Sequence, residues 1–467
     1  MDLAEGRRRG TVRGWVLLGA LVAFVVWVPL PFASVMPWSH TVVQVTAFLL
    51  LGFASLVASR LAGMRAAALP AACVAGVALV GAIQSATIPV TIVRIFSPEH
   101  ARLQANAGEQ LRSAGLDHNV ASTLSLNPGA SRAAALTWLA VAACMLVAAA
   151  AASERRHRRV LAAAIVASGL FQVIFGARAL AFSPGMIWGK EVTSDATRLR
   201  GTFVNPDHLA LYLELVLPVV FAWGWWALRR AREEPVERRV ALIAPPVVAW
   251  VTLFVGLAFT GSRGGLVAAC TGAAAQGLLL AARQRRWRLG IAGILVALVG
   301  IGAVASIGLQ QGLGRWLATS QYEVTWNDRL KVYGASVELW HRFPVTGTGL
   351  ATFRDSFSLV APRFPTEGWY WHAHNDWLEV LVTTGLVGAA LIAVALVAVV
   401  TCLGRRLRDG ARSEDRAAAL AALGALAAVA VHSCFDFGMV LPANAATLAI
   451  LVGAALSAER AQEHIRM

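Results

Sequence analysis

Charged residues are scarce in this sequence. Only 14% of its 467 residues are Asp, Glu, Lys or Arg, whereas about 25% are charged in an ordinary soluble protein. Hydrophobic residues make up 57% of the chain, and the mean hydropathy is +0.62. This composition excludes an ordinary soluble domain and predicts an all-α membrane protein that crosses the bilayer many times.

The sequence also lacks a cysteine framework and several catalytic motifs. No nucleotide-binding loop, dinucleotide fingerprint, zinc-protease motif or serine-hydrolase motif occurs, and the outer loops contain no paired-carboxylate motif. The sequence therefore predicts a site that uses neither a metal nor a nucleotide. The five cysteines lie in apolar runs, without the spacing of a disulfide or zinc framework, and are expected to be small buried residues: Cys73, Cys144, Cys270, Cys402 and Cys434.

Long apolar runs are abundant, and each is a candidate membrane helix. A membrane helix needs about 20 mainly apolar residues. About twelve such runs are predicted, near 13–32, 41–60, 67–93, 133–152, 160–182, 206–228, 240–260, 264–282, 289–308, 376–403, 417–436 and 440–458.

The net charge of +15 comes from short basic clusters between these runs. Alternation of the spans places every dense cluster on one side, which the positive-inside rule makes cytoplasmic. Both termini are then cytoplasmic. The clusters do not form the solvated basic and aromatic face of a nucleic-acid-binding protein, so no nucleic acid is expected as a partner.

The spans divide the chain into three parts. Residues 1–308 would hold the first nine spans, with outer segments at 94–132 and 183–205. Residues 309–375 would form a large outer loop, and residues 376–467 the last three spans and a cytoplasmic tail. Within the loop, an apolar face over 328–343 predicts an amphipathic helix and hence a partly helical cap.

Two arginines precede the predicted span at 206–228. Arg198 and Arg200 lie in "RLRGTFVNPDHLALYL" (198–213), where Asn205 and Pro206 predict a capped helix start. A helix N-terminus beside guanidinium groups suits an anion. The alternative is that both arginines reach lipid phosphates at the membrane surface.

A third arginine, Arg263, lies in the tight turn "TGSRGG" (260–265) between two spans. Its glycines allow a ligand to approach closely, and a guanidinium fork matches a phosphate. The alternative is an arginine that only sets topology. That role is disfavoured because this turn is predicted on the outer side.

Histidines flank the start of the span at 376–403, in "GWYWHAHNDWLE" (368–379). His374 is the candidate general base, because imidazole suits proton abstraction near neutral pH; His372 is the alternative. Asn375 and Asp376 could cap the helix, and Asp376 or Glu379 could orient an imidazole. The other interpretation is an interfacial aromatic belt that includes the histidines.

A further polar pair lies near the outer end of the next span. His432 and Asp436 are separated by one helical turn, so both would lie on one face of that helix. They would form a structural hydrogen bond or contribute a wall of the same site.

The chain resembles the superfamily of O-antigen ligases and O-antigen polymerases, which are bacterial envelope glycan transferases. The resemblance is carried by the 198–213 segment, "TGSRGG", "DRLKVYGASVELWHRFPVTGTGLATF" (328–353) and "HAHNDWLEVLVTTGLVG" (372–388). It implies a C-type glycosyltransferase architecture of about twelve membrane helices with a large periplasmic loop. It also implies an undecaprenyl-diphosphate-linked glycan donor and no metal or other cofactor.

Matched motif by motif, the resemblance also implies roles for residues. The diphosphate would be bound by Arg198 or Arg200 and by Arg263, and His374 would be the base. Arg329 matches a recurrent arginine of the late loop. The site wall would include Arg329, His372, Asn375, Asp376, His432 and Asp436. The chain departs from the family at Asp207, where asparagine is more usual.

The predicted function is metal-independent transfer of a lipid-linked glycan to a sugar hydroxyl at the periplasmic face of the bacterial inner membrane. The acceptor would be lipid A–core in a ligase or a second lipid-linked glycan in a polymerase, and membrane lipids would surround the spans. Protein O-oligosaccharyl transfer is a lesser alternative. The rival from another class is a transporter or flippase of lipid-linked glycans, for which Glu214, inside a span, is the best support.

Overall fold

The computed structural model describes residues 2–57, 61–116, 120–192, 196–284, 326–364, 370–408 and 412–457. These residues form a helical bundle with one short β-hairpin. The helices are α1 (Asp2–Trp27), α2 (Pro37–Ser55), α3 (Leu61–Ser85), α4 (Val90–Phe96), α5 (Pro98–Ser113), α6 (Pro128–Ala151), α7 (Arg155–Phe182), α8 (Pro206–Arg230), α9 (Val236–Phe259), α10 (Arg263–Gln284), α11 (Trp326–Arg342), α12 (Phe353–Phe357), α13 (Asp376–Arg408), α14 (Ser413–His432) and α15 (Pro442–Leu456). Short 3-10 turns occur at Phe32–Ser34, Ala231–Glu233, Ala361–Arg363 and Gly438–Val440.

The prediction of an all-α multi-pass membrane protein is confirmed. Among the described residues, nine helices are long and apolar enough to cross a membrane: α2, α3, α6, α7, α8, α9, α10, α13 and α14. Shorter apolar helices cover Val12–Trp27 and Pro442–Leu456. The predicted span at 289–308 lies outside the described residues.

Some predicted span ends were wrong. The span predicted at 417–436 begins earlier and ends at His432, so Asp436 lies beyond the helix. The apolar residues Phe435 and Phe437 after the helix extend the hydropathy signal without extending the helix. The span predicted at 67–93 likewise ends at Ser85, and a separate helix, α4, follows.

Helix α6 lies in the interior of the bundle and packs against α2, α3 and α15. Its last four residues are alanines, and all four are fully buried: Ala148, Ala149, Ala150 and Ala151. Small side chains let membrane helices approach closely. At Gly63, for example, an added Cβ would lie 2.8 Å from the Ala149 carbonyl oxygen.

The two earlier outer segments are partly ordered into secondary structure. The segment predicted at 94–132 contains the end of α4 and all of α5. Val93 of α4, Ala101 of α5 and Leu124 pack together in a small buried cluster. The segment at 183–205 contains an antiparallel hairpin of β1 (Met186–Ile187) and β2 (Lys190–Glu191), with Met186 opposite Glu191 and Ile187 opposite Lys190.

The described part of the large loop, residues 326–364 and 370–375, folds into a small unit that we call the outer cap. Helix α11 confirms the amphipathic helix predicted at 328–343. Val332 and Leu339 are fully buried in the cap, together with Phe353 and Phe357 of α12. Two other apolar residues of this helix are exposed and lie outside the cap core: Leu330 is 50% and Val337 41% exposed.

The outer cap is joined to the bundle where α13 is broken. Gly385 has φ 62° and ψ −164°, so the helical hydrogen bonds are interrupted there. The cap segment 344–349 supplies replacements: Thr348 N–H donates to the Val382 carbonyl (2.9 Å) and Gly349 N–H to that of Thr383 (3.1 Å). Backbone groups inside a membrane protein need such partners.

Gln84, at the outer end of α3, binds both sides of this junction. Its amide nitrogen donates to the carbonyl oxygens of Thr346 and Thr383, the latter at 2.9 Å. Its amide oxygen accepts from the Leu350 N–H at 2.8 Å. One fully buried side chain thus ties α3, α13 and the outer cap together.

We expect Gln84→Met to destabilise the protein by about 3 kcal/mol, because buried backbone groups left without a partner cost roughly 1–3 kcal/mol each. The measurement is thermal denaturation of purified protein in detergent. Gln44→Met is the matched control, since half-buried Gln44 donates a side-chain hydrogen bond to the Thr137 hydroxyl rather than to backbone carbonyls. Equal loss of stability in the two variants would contradict the role given to Gln84.

Candidate functional site

The chain turns sharply after α14, and several elements meet at this turn, residues 433–437. Donors from other elements bind its carbonyl oxygens. Arg329 of α11 donates to Phe435 (2.7 Å), and the Tyr333 hydroxyl (3.0 Å) and the Asn375 amide (3.1 Å) donate to Cys434. The 433–437 turn therefore joins the outer cap to the start of α13 at one end of the bundle, which we call the outer end.

His374 lies over this turn with a constrained backbone. Its φ is 49°, in the left-handed region that few non-glycine residues adopt, and its carbonyl accepts from the Tyr333 hydroxyl (3.0 Å). The imidazole packs edge-on against Tyr370 and Phe437. Its Nδ1 faces Asp436 Oδ1 at 3.5 Å and has no hydrogen bond among the described residues. Asp436 is thus the carboxylate that faces His374.

Glu379 was a candidate to orient an imidazole, and the structure pairs it with His372. His372 Nδ1 and Glu379 Oε1 are 2.8 Å apart, and Ala373 N–H donates to the other carboxylate oxygen (3.0 Å). The His372 ring stacks on Phe437 with centroids 4.2 Å apart. Burial lowers the pKa of His372, but the neighbouring Glu379 carboxylate outweighs it, so that the pKa is raised.

The helix start at Asn375 and Asp376 forms as predicted. Asn375 Oδ1 accepts from the Leu378 N–H at 3.0 Å and caps α13. Asp376, the other candidate to orient an imidazole, instead accepts from the Ser433 hydroxyl at 2.8 Å. Its N–H also donates to the Ser433 carbonyl (2.9 Å). Asp376 therefore fixes α13 to the 433–437 turn.

The expected hydrogen bond between His432 and Asp436 does not form. Because α14 ends at His432, Asp436 leaves the helix face, and His432 Nε2 is 3.9 Å from Asp436 Oδ2. His432 instead forms a hydrogen bond with Glu214, with 2.8 Å between Nδ1 and Oε1. Burial raises the pKa of the Asp436 carboxyl, but the facing His374 and other histidines outweigh burial and hold that pKa well below its usual range.

Sequence analysis missed two residues at the centre of this arrangement. Phe437 contacts three imidazole rings: His372, His374 and, at a centroid distance of 4.8 Å, His208. His208 is buried in the first turn of α8. Its place in the "NPDH" helix start, beside the predicted anion site, was a signal that could have found it. Nothing in the local sequence marks Phe437.

The first two predicted arginines are both buried. Arg198 donates from Nε to the Thr260 carbonyl (2.5 Å) and from its terminal nitrogen to Asp207 Oδ1 (2.6 Å). It therefore fixes the 260–265 turn to the start of α8. Arg200 donates to the Val204 carbonyl (3.3 Å) within its own loop.

Arg263 is exposed and is the first residue of α10. The glycines after it pack closely against the other elements. An added Cβ at Gly264 would lie 3.4 Å from Phe435 Cβ, and one at Gly265 would lie 3.0 Å from Glu214 Oε1. The turn that carries Arg263 thus adjoins the 433–437 turn, over which His374 lies.

The structure therefore brings most of the predicted residues to one end of the bundle. The contacts described above link Arg198, Arg263, Arg329, His372, His374, Asn375, Asp376, His432 and Asp436. Arg200 donates within its own loop. Over the described ranges, no group of three His, Cys, Asp or Glu side chains is arranged to hold a metal ion. The side chains gathered at this end carry guanidinium, imidazole and carboxylate groups.

These features define a multi-pass membrane protein with cationic and basic groups at one end of its bundle. Residues 247–393 match the O-antigen ligase family, Wzy_C, and the chain therefore contains an O-antigen ligase domain. The match runs from α9 into α13 and includes Arg263, the outer cap and His374. Members of this family are enzymes that transfer lipid-linked glycans. A search of curated proteins found no match.

The resemblance recognised in the sequence is thus confirmed over 247–393. The 198–213 segment, with Arg198 and His208, lies outside the matched residues, as do His432 and Asp436. Their proximity to the matched residues comes from the fold alone.

Glu379→Gln should lower the raised pKa of His372, because the burial that lowers this pKa remains while the carboxylate that raises it most is lost. Diethyl pyrocarbonate modifies unprotonated imidazole, so the pH of half-maximal modification, read by mass spectrometry, gives the pKa. The control is Glu338→Gln, which removes a carboxylate paired with Arg342 on α11. An unchanged midpoint for His372 would show that Glu379 does not set its pKa.

The same pair makes stability depend on pH. The pKa of His372 is higher in the folded protein than in the unfolded chain, so the pair stabilises the fold fully below pH of about 6.5. This contribution is lost as the pH rises through the raised pKa. Glu379→Gln should remove that dependence.

Proposed function

We propose that this protein transfers a glycan from an undecaprenyl-diphosphate-linked donor to a sugar hydroxyl, with His374 as the general base. The observation that carries the proposal is the position of His374. It lies in the family-matched domain and faces Asp436, with the Arg263 turn nearby. An imidazole oriented by a carboxylate and a cation for the leaving group are the components that this reaction needs.

In the proposed reaction, the acceptor hydroxyl gives its proton to His374 and its oxygen attacks the anomeric carbon of the donor. The bond from that carbon to the diphosphate oxygen breaks, and the diphosphate leaves with the electron pair. Nδ1 of His374 faces Asp436, so Nε2 is the nitrogen directed to the acceptor. The ionised Asp436 then stabilises the imidazolium that forms.

Arg263 is the proposed ligand of the diphosphate. Its side chain is exposed at the first residue of α10, where the helix N-terminus also favours an anion. A guanidinium group there would offset the charge that develops on the leaving group. The bonds of Arg198 to Thr260 and Asp207 favour a role in holding this turn. Contact of Arg198 or Arg200 with phosphate stays a prediction.

The membrane arrangement that we propose has about twelve spans of the C-type glycosyltransferase kind, in the bacterial inner membrane. The nine long helices, the two shorter apolar helices and the predicted span at 289–308 are consistent with this number. The outer end would then face the periplasm, with both termini in the cytoplasm. A donor held in the bilayer by its lipid could reach the outer end directly from the membrane.

The acceptor distinguishes a ligase, which would use lipid A–core, from a polymerase, which would use another lipid-linked glycan. The decisive experiment incubates purified protein in detergent with lipid-linked donor and each acceptor. Appearance of glycan on one acceptor, with loss of the lipid-linked donor, supports the enzyme and names its class. A donor that stays intact with every acceptor, protein included, would favour a transporter.

His374→Ala should reduce transfer by about 10²–10⁴-fold, the usual contribution of a general base, while donor binding is retained. Initial rates and donor affinity are measured on protein that elutes as a single species. His341→Ala, an exposed histidine on α11, is the control and should be active. If His372→Ala were inactive and His374→Ala active, the base would be His372.

Arg263→Lys should lower kcat by about 10–100-fold, because lysine keeps the charge but cannot supply the two-pronged donor geometry. The measurement is steady-state kinetics with the lipid-linked donor. Arg102→Lys, an exposed arginine on α5 that pairs with Glu99, is the matched control. Normal kinetics in Arg263→Lys would show that the guanidinium group is not needed for transfer and would favour a role of Arg263 in membrane topology alone.

A further inference from the structure

The mechanism above does not use the pair formed by Glu214 and His432. Glu214 lies roughly 12 Å along α8 from its first residue, at about 1.5 Å per residue. Its side chain is fully buried and that of His432 is 1% exposed, with 2.8 Å between Oε1 and Nδ1. Glu214 Oε2 has no hydrogen bond among the described residues. A buried carboxylate is costly in a membrane protein and therefore indicates a function.

Both ring nitrogens of His432 face a carboxylate. Nδ1 is bonded to Glu214, and Nε2 lies 3.9 Å from Asp436 Oδ2. A neutral imidazole carries only one N–H, so its unprotonated nitrogen would face one of the two carboxylates with a lone pair. Two acidic neighbours on opposite sides of the ring favour the imidazolium, which carries an N–H at each position.

Asp436 is consequently shared between two imidazoles. Its Oδ2 lies near His432, and its Oδ1 is 3.5 Å from Nδ1 of His374. Charged or titratable groups on the neighbouring elements lie around Asp436 and the pair. They are Asp207 and His208 on α8, Asp376 and Glu379 on α13, His372 in the outer cap, Arg329 and Tyr333 on α11, and Arg263 before the Gly264 that contacts Phe435.

We propose that Glu214 and His432 are a charge-balancing pair: Glu214 keeps His432 protonated, and this imidazolium offsets the charge of Asp436, so that His374 stays unprotonated between turnovers. Asp436 alone would favour the protonated form of His374, which cannot accept a proton. The pair acts through Asp436, so both members are positioning residues. This inference rests on the proposed role of His374 as the base.

The first test is His432→Gln, which removes the cation beside Asp436 and keeps a hydrogen-bonding side chain. The pH at which His374 is half-modified by diethyl pyrocarbonate should rise by about one unit, the smaller end of the usual effect of one nearby charge. The acid limb of the pH profile of kcat/KM should also shift to higher pH. KM for the lipid-linked donor should stay unchanged, since the side chains of both residues of the pair are buried.

The second test is Glu214→Gln, because glutamine has nearly the same shape as glutamate and carries no charge. If Glu214 keeps the proton on His432, this variant should also raise the pH at which His374 is half-modified by diethyl pyrocarbonate. The double variant should then shift it no further than either single change, because the two residues act as one unit. A midpoint that is unchanged or lower in Glu214→Gln overturns the inference.

Controls separate this effect from a loss of structure and from failure of the proposed function. Tyr212→Phe on α8 removes a buried hydrogen bond to Ser168 and should leave the His374 midpoint unchanged. If His432→Gln does not fold, the pH of half-modification of His374 in Glu214→Gln is the measurement that tests the inference. Modification needs no turnover, so the expected shifts in a protein without transferase activity would refute the proposed function and leave the charge balance standing.

Discussion

The end of α14 imposes the constraint on which the site depends. A helix that ends at the edge of a membrane leaves its last carbonyl groups without helical partners, and they must be satisfied by other donors. Trp377 donates to the Ala430 carbonyl, Asp376 to that of Ser433, and Tyr333 to that of Cys434. The donors come from the outer cap and from α13. The same bonds that complete α14 therefore place His374 over Asp436.

Features governed by neighbouring residues could be predicted from the sequence. The apolar runs, the amphipathic helix of the outer cap and the caps at Asn205 and Asn375 follow from composition and from contacts within one turn. The partners of the histidines could not be predicted. Glu214 and His432 are 218 positions apart, and hydropathy does not indicate which helices are neighbours. Glu379 is the nearer acid in sequence, and yet Asp436 faces His374.

Backbone conformation was equally inaccessible to sequence reasoning. His374 has a positive φ, which costs of order 1–3 kcal/mol for a residue with a Cβ. The Tyr333 hydroxyl on its carbonyl and the cap formed by Asn375 hold this conformation. A sequence pattern would assign His374 an ordinary loop geometry. The observed geometry lets His372 and His374, two residues apart, stack on and edge against the same Phe437 ring.

Glu214 was the main support for a transporter, and its hydrogen-bond partner His432 lies at the outer end of α14. A transport path needs polar groups that continue inward. One turn further in, Gln276 of α10 donates to the carbonyls of Pro218 (2.9 Å) and Leu420 (3.1 Å) and so joins α10, α8 and α14. Leu217 and Leu420 beside it are buried. The polar contacts of Glu214 lead instead through His432 to Asp436, which supports the charge-balancing role that we propose for it over a transport role.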